Sequence, residues 1–162
     1  MKHLRKSSFF MSNTKEARAT WVYNDGGRSN YFKTTGRDCV TRAVAIASGM
    51  DYLEVFNKIT DLKWKAGYRK SALHGVHTRS KWFKIQMRKW GWEYKQVKTY
   101  EHVSLDSPKL AKGKVIVCLQ YHYVALIDGV INDTYNPDQP RQRGLRSPYG
   151  KRIVMGYWIY KG

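Results

Sequence analysis

The sequence predicts an α+β domain in which helices come first along the chain and an antiparallel sheet follows. Three observations support this prediction. Residues 39–90 carry apolar side chains at helical spacing, whereas residues 114–161 contain β-branched and aromatic segments. The dipeptide Asp128-Gly129 separates two of those segments, which is a strong signal for a two-residue hairpin turn. A length of 162 residues fits one such domain.

The first half of the chain predicts a short strand and a buried helix. Residues 1–20 read as a basic N-terminal arm, which leaves 21–162 as the single folded domain. Within that domain, Trp21-Val22-Tyr23 is a short strand ended by an Asn-Asp-Gly-Gly turn. The alanines and aliphatic residues of 39–48 predict a buried helix, and Gly49 ends it.

Two more helices follow before the pattern changes. Asp51, with Glu54 three residues later, forms a capping box that opens a second helix through about Lys65. Thr78 is the predicted cap of a third helix. That helix has an apolar stripe made of Phe83, Met87 and Trp90.

The second half of the chain predicts strands. One helical turn begins at Ser107-Pro108 and closes at Gly113. The β-branched and aromatic segments on either side predict strands over 92–97, 114–120, 122–128, 130–135 and 152–161.

The composition restricts the class of protein. The chain has 30 Lys and Arg against 12 Asp and Glu, for a formal charge of +18, and 42% apolar residues exclude a disordered polycation. Such a charge predicts an acidic partner, either nucleic acid or an acidic protein. No apolar run approaches the roughly 20 residues of a membrane span. Two cysteines make no disulfide framework, so a cytoplasmic location is expected.

Cys39 lies in the first turn of the predicted helix 39–48. There its sulfur is close to unpaired backbone N–H groups and to the positive end of the helix dipole, which favour thiolate over thiol. Gly36, two residues before Asp38, lets the chain turn sharply and expose the helix start. A small apolar side chain of the core is the alternative interpretation of an isolated cysteine.

The predicted hairpin adds a histidine and an acid. A two-residue turn at Asp128-Gly129 sets the register, and side-chain alternation then puts His122 and Asp133 on one face as diagonal neighbours. A carboxylate beside a histidine fixes its tautomer, and that histidine can take the proton of a cysteine at a helix start. If a bulge interrupts the hairpin, Asn136 is the alternative third member.

This order of features resembles the papain-like cysteine peptidase superfamily. There a cysteine starts a central helix, and a following antiparallel sheet supplies a histidine and then an Asp or Asn. More narrowly, the chain is similar over about residues 23–160 to a group of small uncharacterised phage and bacterial proteins. The segments that carry the resemblance are Asn24-Asp25-Gly26-Gly27-Arg28, Gly36-Arg37-Asp38-Cys39-Val40-Thr41-Arg42-Ala43, Gly75-Val76-His77, Gly91-Trp92-Glu93, residues 122–134 and Gly156-Tyr157-Trp158.

The resemblance implies a papain-like fold, with N-terminal helices packed on a C-terminal antiparallel sheet. It implies a hydrolase of the peptidase or amidase type, of phage origin, that acts on a peptide-like amide substrate without a cofactor. Cys39 would be the nucleophile, His122 the general base and Asp133 the group that orients it. A phage origin would place the protein in the host cytoplasm or with the virion.

The chain departs from the papain-like pattern before the cysteine. Many of those enzymes have a glutamine there that completes the oxyanion hole, and this chain has none before Gln86. The backbone N–H of Cys39 is one candidate donor, and Asn24 or Asn30 is the candidate for the other.

Basic patches support an alternative function. Between Lys63 and Lys98 there are eleven Lys or Arg and one acid, with aromatic residues interleaved, as single-stranded nucleic-acid binding requires. A second acid-free basic stretch covers 141–152. The alternative is therefore a noncatalytic protein that binds nucleic acid or an acidic host protein. Its candidate binding residues are Lys81, Lys84, Arg88, Lys89, Arg141, Arg143 and Arg146.

Two weaker signals receive structural interpretations. His74 and His77 lie three residues apart, but no cysteine or carboxylate is near enough in the sequence to complete a metal set, so no metal site is predicted. Cys118 lies in an apolar predicted strand, which is typical of an unreactive core thiol.

Overall fold

One six-stranded sheet supports all three described helices on a single face. The computed structural model describes residues 19–140, 142–148 and 150–162, so the predicted arm lies almost entirely outside the described residues. The helices are α1 (Cys39–Ser48), α2 (Tyr52–Lys65) and α3 (Lys81–Lys89). The strands are β1 (Trp21–Tyr23), β2 (Trp92–Gln96), β3 (Lys114–Leu119), β4 (His122–Ile127), β5 (Val130–Asp133) and β6 (Val154–Tyr160). The α+β class is therefore as predicted.

The sheet order is β1-β5-β4-β3-β6-β2, and every neighbouring pair except one is antiparallel. The exception is β1, which pairs parallel to β5 at the edge of the sheet. The β4–β5 hairpin has the predicted register, with Ile127 opposite Val130. Asp128 and Gly129 both have positive φ, 47° and 79°, which is the conformation that a two-residue type I′ turn requires.

A separate cluster of buried apolar residues lies on each face of the sheet. The helix face packs Val44, Val55 and Phe83, one from each helix, against strand residues such as Ala125 and Trp158. On the opposite face, alternate residues of the same strands are covered by the segment between β2 and β3, which contains only short 3-10 turns. Since side chains alternate along a strand, the central strand β3 reads as a continuous apolar run in the sequence.

The helix boundaries follow local capping chemistry. The Asp51 side chain accepts hydrogen bonds from the backbone N–H groups of Leu53 and Glu54, which is the N-cap half of the predicted capping box. The prediction that Thr78 caps α3 is wrong, because the N-cap is Ser80. Both the backbone N–H and the hydroxyl of Ser80 donate to the carbonyl of His77, so a turn precedes the helix.

Within the described residues, no helix combines the length and the apolarity needed to cross a bilayer. The longest, α2, has fourteen residues and is exposed along much of its surface.

Candidate active site

Three elements meet at one end of the sheet. β4 begins with His122, and its antiparallel neighbour β5 ends with Asp133, so these two residues share that end. α1 packs mainly on β4 and begins there with Cys39. The fold thus brings together the three residues of the predicted triad.

The imidazole of His122 is buried and has a partner at each nitrogen. Nε2 lies 2.5 Å from Oδ2 of Asp133, and Nδ1 lies 3.2 Å from the hydroxyl of Tyr135. Burial alone lowers the pKa of His122, but hydrogen bonds to Asp133 and Cys39 more than offset it and raise the pKa to about 9. The ring is therefore an imidazolium near neutral pH.

The thiol of Cys39 has the opposite shift. Burial raises its pKa, but a hydrogen bond and positive charge from His122, the backbone N–H of Tyr123 and the charge of Arg42 outweigh burial. The net pKa lies below that of an ordinary thiol. A raised imidazole pKa and a lowered thiol pKa both favour a thiolate–imidazolium pair.

Cys118 is the contrasting thiol of the same chain. It lies in β3 within the helix-face core, and burial raises its pKa to about 12. No described cationic side chain forms an ion pair or hydrogen bond with it. At neutral pH it is an un-ionised core thiol.

A buried charge network lies behind the triad. The carboxylate of Asp38 is fully buried and accepts from Nε of Arg28 at 2.7 Å, Nη1 of Arg42 at 2.5 Å and the Tyr52 hydroxyl at 2.5 Å. The second terminal nitrogen of Arg42 lies 3.5 Å from Oδ1 of Asp133. Arg42 therefore joins Asp38, the residue before Cys39, to the carboxylate that contacts His122.

Sequence reasoning missed this network. Asp38 and Arg42 have the i, i+4 spacing of a helical ion pair, and that spacing was the available signal. Tertiary packing buries this ion pair and brings Asp133, from a strand distant in the sequence, within 3.5 Å of Arg42. Neither effect is visible in the local sequence. Tyr135 was also not assigned a role, although it contacts the second nitrogen of His122.

The triad opens onto a cleft of about 390 Å³. Cys39 and His122 form one side of it. The loop that contains His74, Gly75 and His77 forms the other side. The thiol is thus accessible from the surface, although the imidazole and the Asp133 carboxylate behind it are buried.

The other polar residues predicted for the site lie elsewhere. The side-chain amide of Asn24 donates to Asn132 at 3.1 Å, and its carbonyl oxygen accepts from the backbone N–H of Gly26. Asn30 is exposed at the end of a short 3-10 helix. Neither lines the cleft of Cys39 among the described residues. Asn136 accepts from the backbone N–H of Asp138, so its side-chain oxygen caps a turn rather than facing His122.

The basic residues predicted for partner binding differ in their surroundings. Lys81, Arg88 and Lys89 are exposed on α3, whereas Lys84 is half-buried and lines a second cleft. Arg143 lies with its guanidinium 5.4 Å from the centre of the Tyr121 ring. Arg146 donates to backbone carbonyls of its own loop, which is a structural role. Arg141 lies outside the described residues.

The described residues contain no group of three His, Cys, Asp or Glu side chains placed to hold a metal ion. Comparisons of the chain with protein-family models, with curated proteins and with solved structures found no match.

Proposed function

We propose that the protein is a cysteine hydrolase that cleaves an amide bond of the peptide or isopeptide type. The observation that carries this proposal is the position of the His122 imidazole between the Asp133 carboxylate and the Cys39 thiol, at the first turn of α1. This is the arrangement expected from the resemblance to papain-like cysteine peptidases, and it supplies a nucleophile, a proton carrier and an orienting group.

The reaction starts from the thiolate–imidazolium pair. Sγ of Cys39 attacks the carbonyl carbon of the amide, which forms a C–S bond and places negative charge on the carbonyl oxygen. His122 gives its proton to the amide nitrogen as the C–N bond breaks, so the amine leaves and a thioester remains. Water then attacks the thioester while His122 takes a proton from it. The acid product leaves and the thiolate is restored.

The helix start supports the charge that develops on the carbonyl oxygen. The first backbone N–H groups of a helix have no acceptor within the helix, and Cys39 is the first residue of α1. Its own N–H is the proposed oxyanion donor. The side chains of Asn24 and Asn30 are excluded from this proposal by their positions.

The proposal is tested by the reactivity of Cys39. In a Cys118→Ala background, we expect iodoacetamide at pH 6 to alkylate Cys39 at least tenfold faster than N-acetylcysteine, as followed by intact mass. An ordinary thiol is only about 0.3% ionised at that pH, whereas the lowered pKa of Cys39 leaves a larger fraction of it as thiolate. His122→Ala should remove this advantage. A rate equal to that of N-acetylcysteine, unaffected by His122→Ala, would contradict the proposed nucleophile.

A second candidate function rests on α3. Its exposed face carries Lys81, Arg88 and Lys89, and none of them forms an ion pair with another described residue. Free cations in a row suit a polyanion such as single-stranded nucleic acid. If they bind one, retention on an oligonucleotide column should fall steeply with salt and survive Cys39→Ala. It should be lost when the three residues are changed to Gln, and a Lys112→Gln/Lys114→Gln control should retain it. Absence of retention at low salt would refute this function.

A further inference from the structure

A second cleft of about 510 Å³ adjoins the cleft of Cys39. Thr78, Leu119, Tyr121 and Tyr123 line both, so the two clefts share one wall. A chain bound with its carbonyl carbon at Cys39 would therefore reach the second cleft with a neighbouring side chain.

The second cleft is cationic. Arg79 and Lys84 line it, and neither has an ion pair among the described residues. Its lining contains no Asp or Glu, and its other polar groups include the side-chain amides of Gln96 and Gln120. Two unpaired cations in one recess repel each other, and an anion placed between them relieves that repulsion.

The walls of this cleft also fit the apolar stem of a side chain. Tyr94 and Trp158 lie on one side, with their ring centroids 4.9 Å apart. Tyr94 is opposite Trp158 of β6 in the sheet, and its ring lies over Gly156, where any Cβ would meet the tyrosine hydroxyl. The absence of a side chain at Gly156 therefore leaves the space that the Tyr94 ring occupies.

A peptide suits the paired clefts better than a nucleic acid. The thiolate of Cys39 reacts with a carbonyl carbon, which a peptide chain presents beside each side chain and a phosphodiester does not. A carboxylate on a short methylene stem would contact the aromatic walls with the stem and the two cations with its oxygens.

We propose that this cleft binds an acidic side chain of the substrate, so that the hydrolase selects Glu or Asp close to the bond that Cys39 attacks. This inference rests on the proposed function and adds its substrate class. The excess of positive charge over the whole chain also favours acidic substrates, because it attracts an acidic peptide from a distance.

The test uses tripeptides with a vinyl sulfone at the C-terminus, with Glu or Gln at each of the three positions in turn. The measured quantity is the second-order rate of Cys39 modification, by intact mass, in the Cys118→Ala background. We expect the Glu peptide to react at least tenfold faster than its Gln counterpart at one position or more. This ratio should fall towards one in Arg79→Gln/Lys84→Gln. It should persist in Lys112→Gln/Lys114→Gln, which removes the same charge at two lysines that line neither cleft.

The outcomes separate the inference from the proposed function. Fast alkylation by iodoacetamide with a Glu/Gln ratio near one at every position, or a ratio that Arg79→Gln/Lys84→Gln leaves intact, overturns the acidic specificity alone. Alkylation no faster than that of N-acetylcysteine overturns both proposals. If a single-stranded oligonucleotide protects Cys39, and this protection needs Arg79 and Lys84, the cleft binds nucleic acid and the peptide assignment is wrong.

Discussion

Replacing Asp133 by Asn tests how strongly the buried carboxylate maintains the thiolate–imidazolium pair. Asn keeps the volume and an oxygen that can accept from Nε2 of His122, so the ring stays oriented while its negative partner is lost. The pKa of His122 is raised from 6.5 to about 9 against the effect of burial. That rise corresponds to about 3 kcal/mol in the protonation equilibrium.

The contribution of Asp133 to this rise is large. Its hydrogen bond is the strongest influence that raises the pKa of His122, and its charge adds to the effect, with Cys39 supplying the rest. Asp133→Asn should therefore lower the pKa of His122 by more than one pH unit, or over about 1.4 kcal/mol. At pH 6 the ring should remain protonated in the variant, so alkylation of Cys39 should change little there, and the part of the pH profile that depends on the imidazolium should move to lower pH.

The assay is the rate of iodoacetamide modification between pH 4 and pH 10 in the Cys118→Ala background, with NMR titration of the His122 ring as a direct measurement of its pKa. Asn136→Ala is the matched control, because its side chain caps a turn next to the hairpin and does not contact the imidazole. An unchanged pH profile and an unchanged His122 pKa in Asp133→Asn would refute the assigned role of the carboxylate. A larger effect of Asn136→Ala would transfer that role to Asn136.

Three further predictions concern pH dependence and stability. Hydrolysis of an amide substrate should decrease above about pH 9, because neutral His122 cannot protonate the leaving nitrogen, whereas alkylation of Cys39 should show no such decrease; parallel profiles for both reactions would contradict this. Arg42→Met should lower the free energy of unfolding in urea by about 3–5 kcal/mol, since it leaves two buried carboxylates without their shared cation. A loss below 1 kcal/mol would show that the network is not needed for stability. Gly49→Ala should lower the free energy of unfolding by about 1 kcal/mol, because Gly49 ends α1 at φ 74°, a conformation that strains alanine. A Cβ there would meet no other atom within 4 Å, so the measurement reports backbone strain alone. An unchanged free energy of unfolding would contradict that strain.

Local chemistry explains which parts of the fold the sequence predicts. The start of α1 and the β4–β5 register depend on short segments, and Asp128-Gly129 favours the turn that fixes which residues face each other. The contact between His122 and Asp133 follows from that register and from the shared end of the two strands. One hairpin therefore determines the relative position of two of the three residues of the predicted triad.

The parts that the sequence does not predict depend on contacts distant in the chain. The sequence predicts strand β1 but not its parallel pairing with β5, which joins segments over a hundred residues apart. The strand has only three residues, and so short a segment carries no side-chain pattern that specifies its partner strand. The second cleft likewise depends on side chains that come together only when α3 packs on the sheet. Thr78 is predicted as a helix cap from its position in the sequence, but the N-cap of α3 is Ser80. Thr78 lies in the turn before the helix and lines the second cleft.

The carboxylate directly before the nucleophile has a role that the sequence alone obscures. Asp38 adjoins Cys39, and an isolated carboxylate there would raise the pKa of the thiol and oppose catalysis. Instead, Arg28 and Arg42 neutralise it, and Arg42 also reaches Asp133 and contributes to the lowered pKa of Cys39. Two arginines balance two aspartates, and the imidazolium balances the thiolate, so the buried site carries no net charge in its reactive state. Since every charge of the site has a partner of opposite sign, none of these ions is buried without one. His122 and, to a smaller extent, Arg42 lower the pKa of the Cys39 thiol, while the surface cations, on our proposal, attract the substrate.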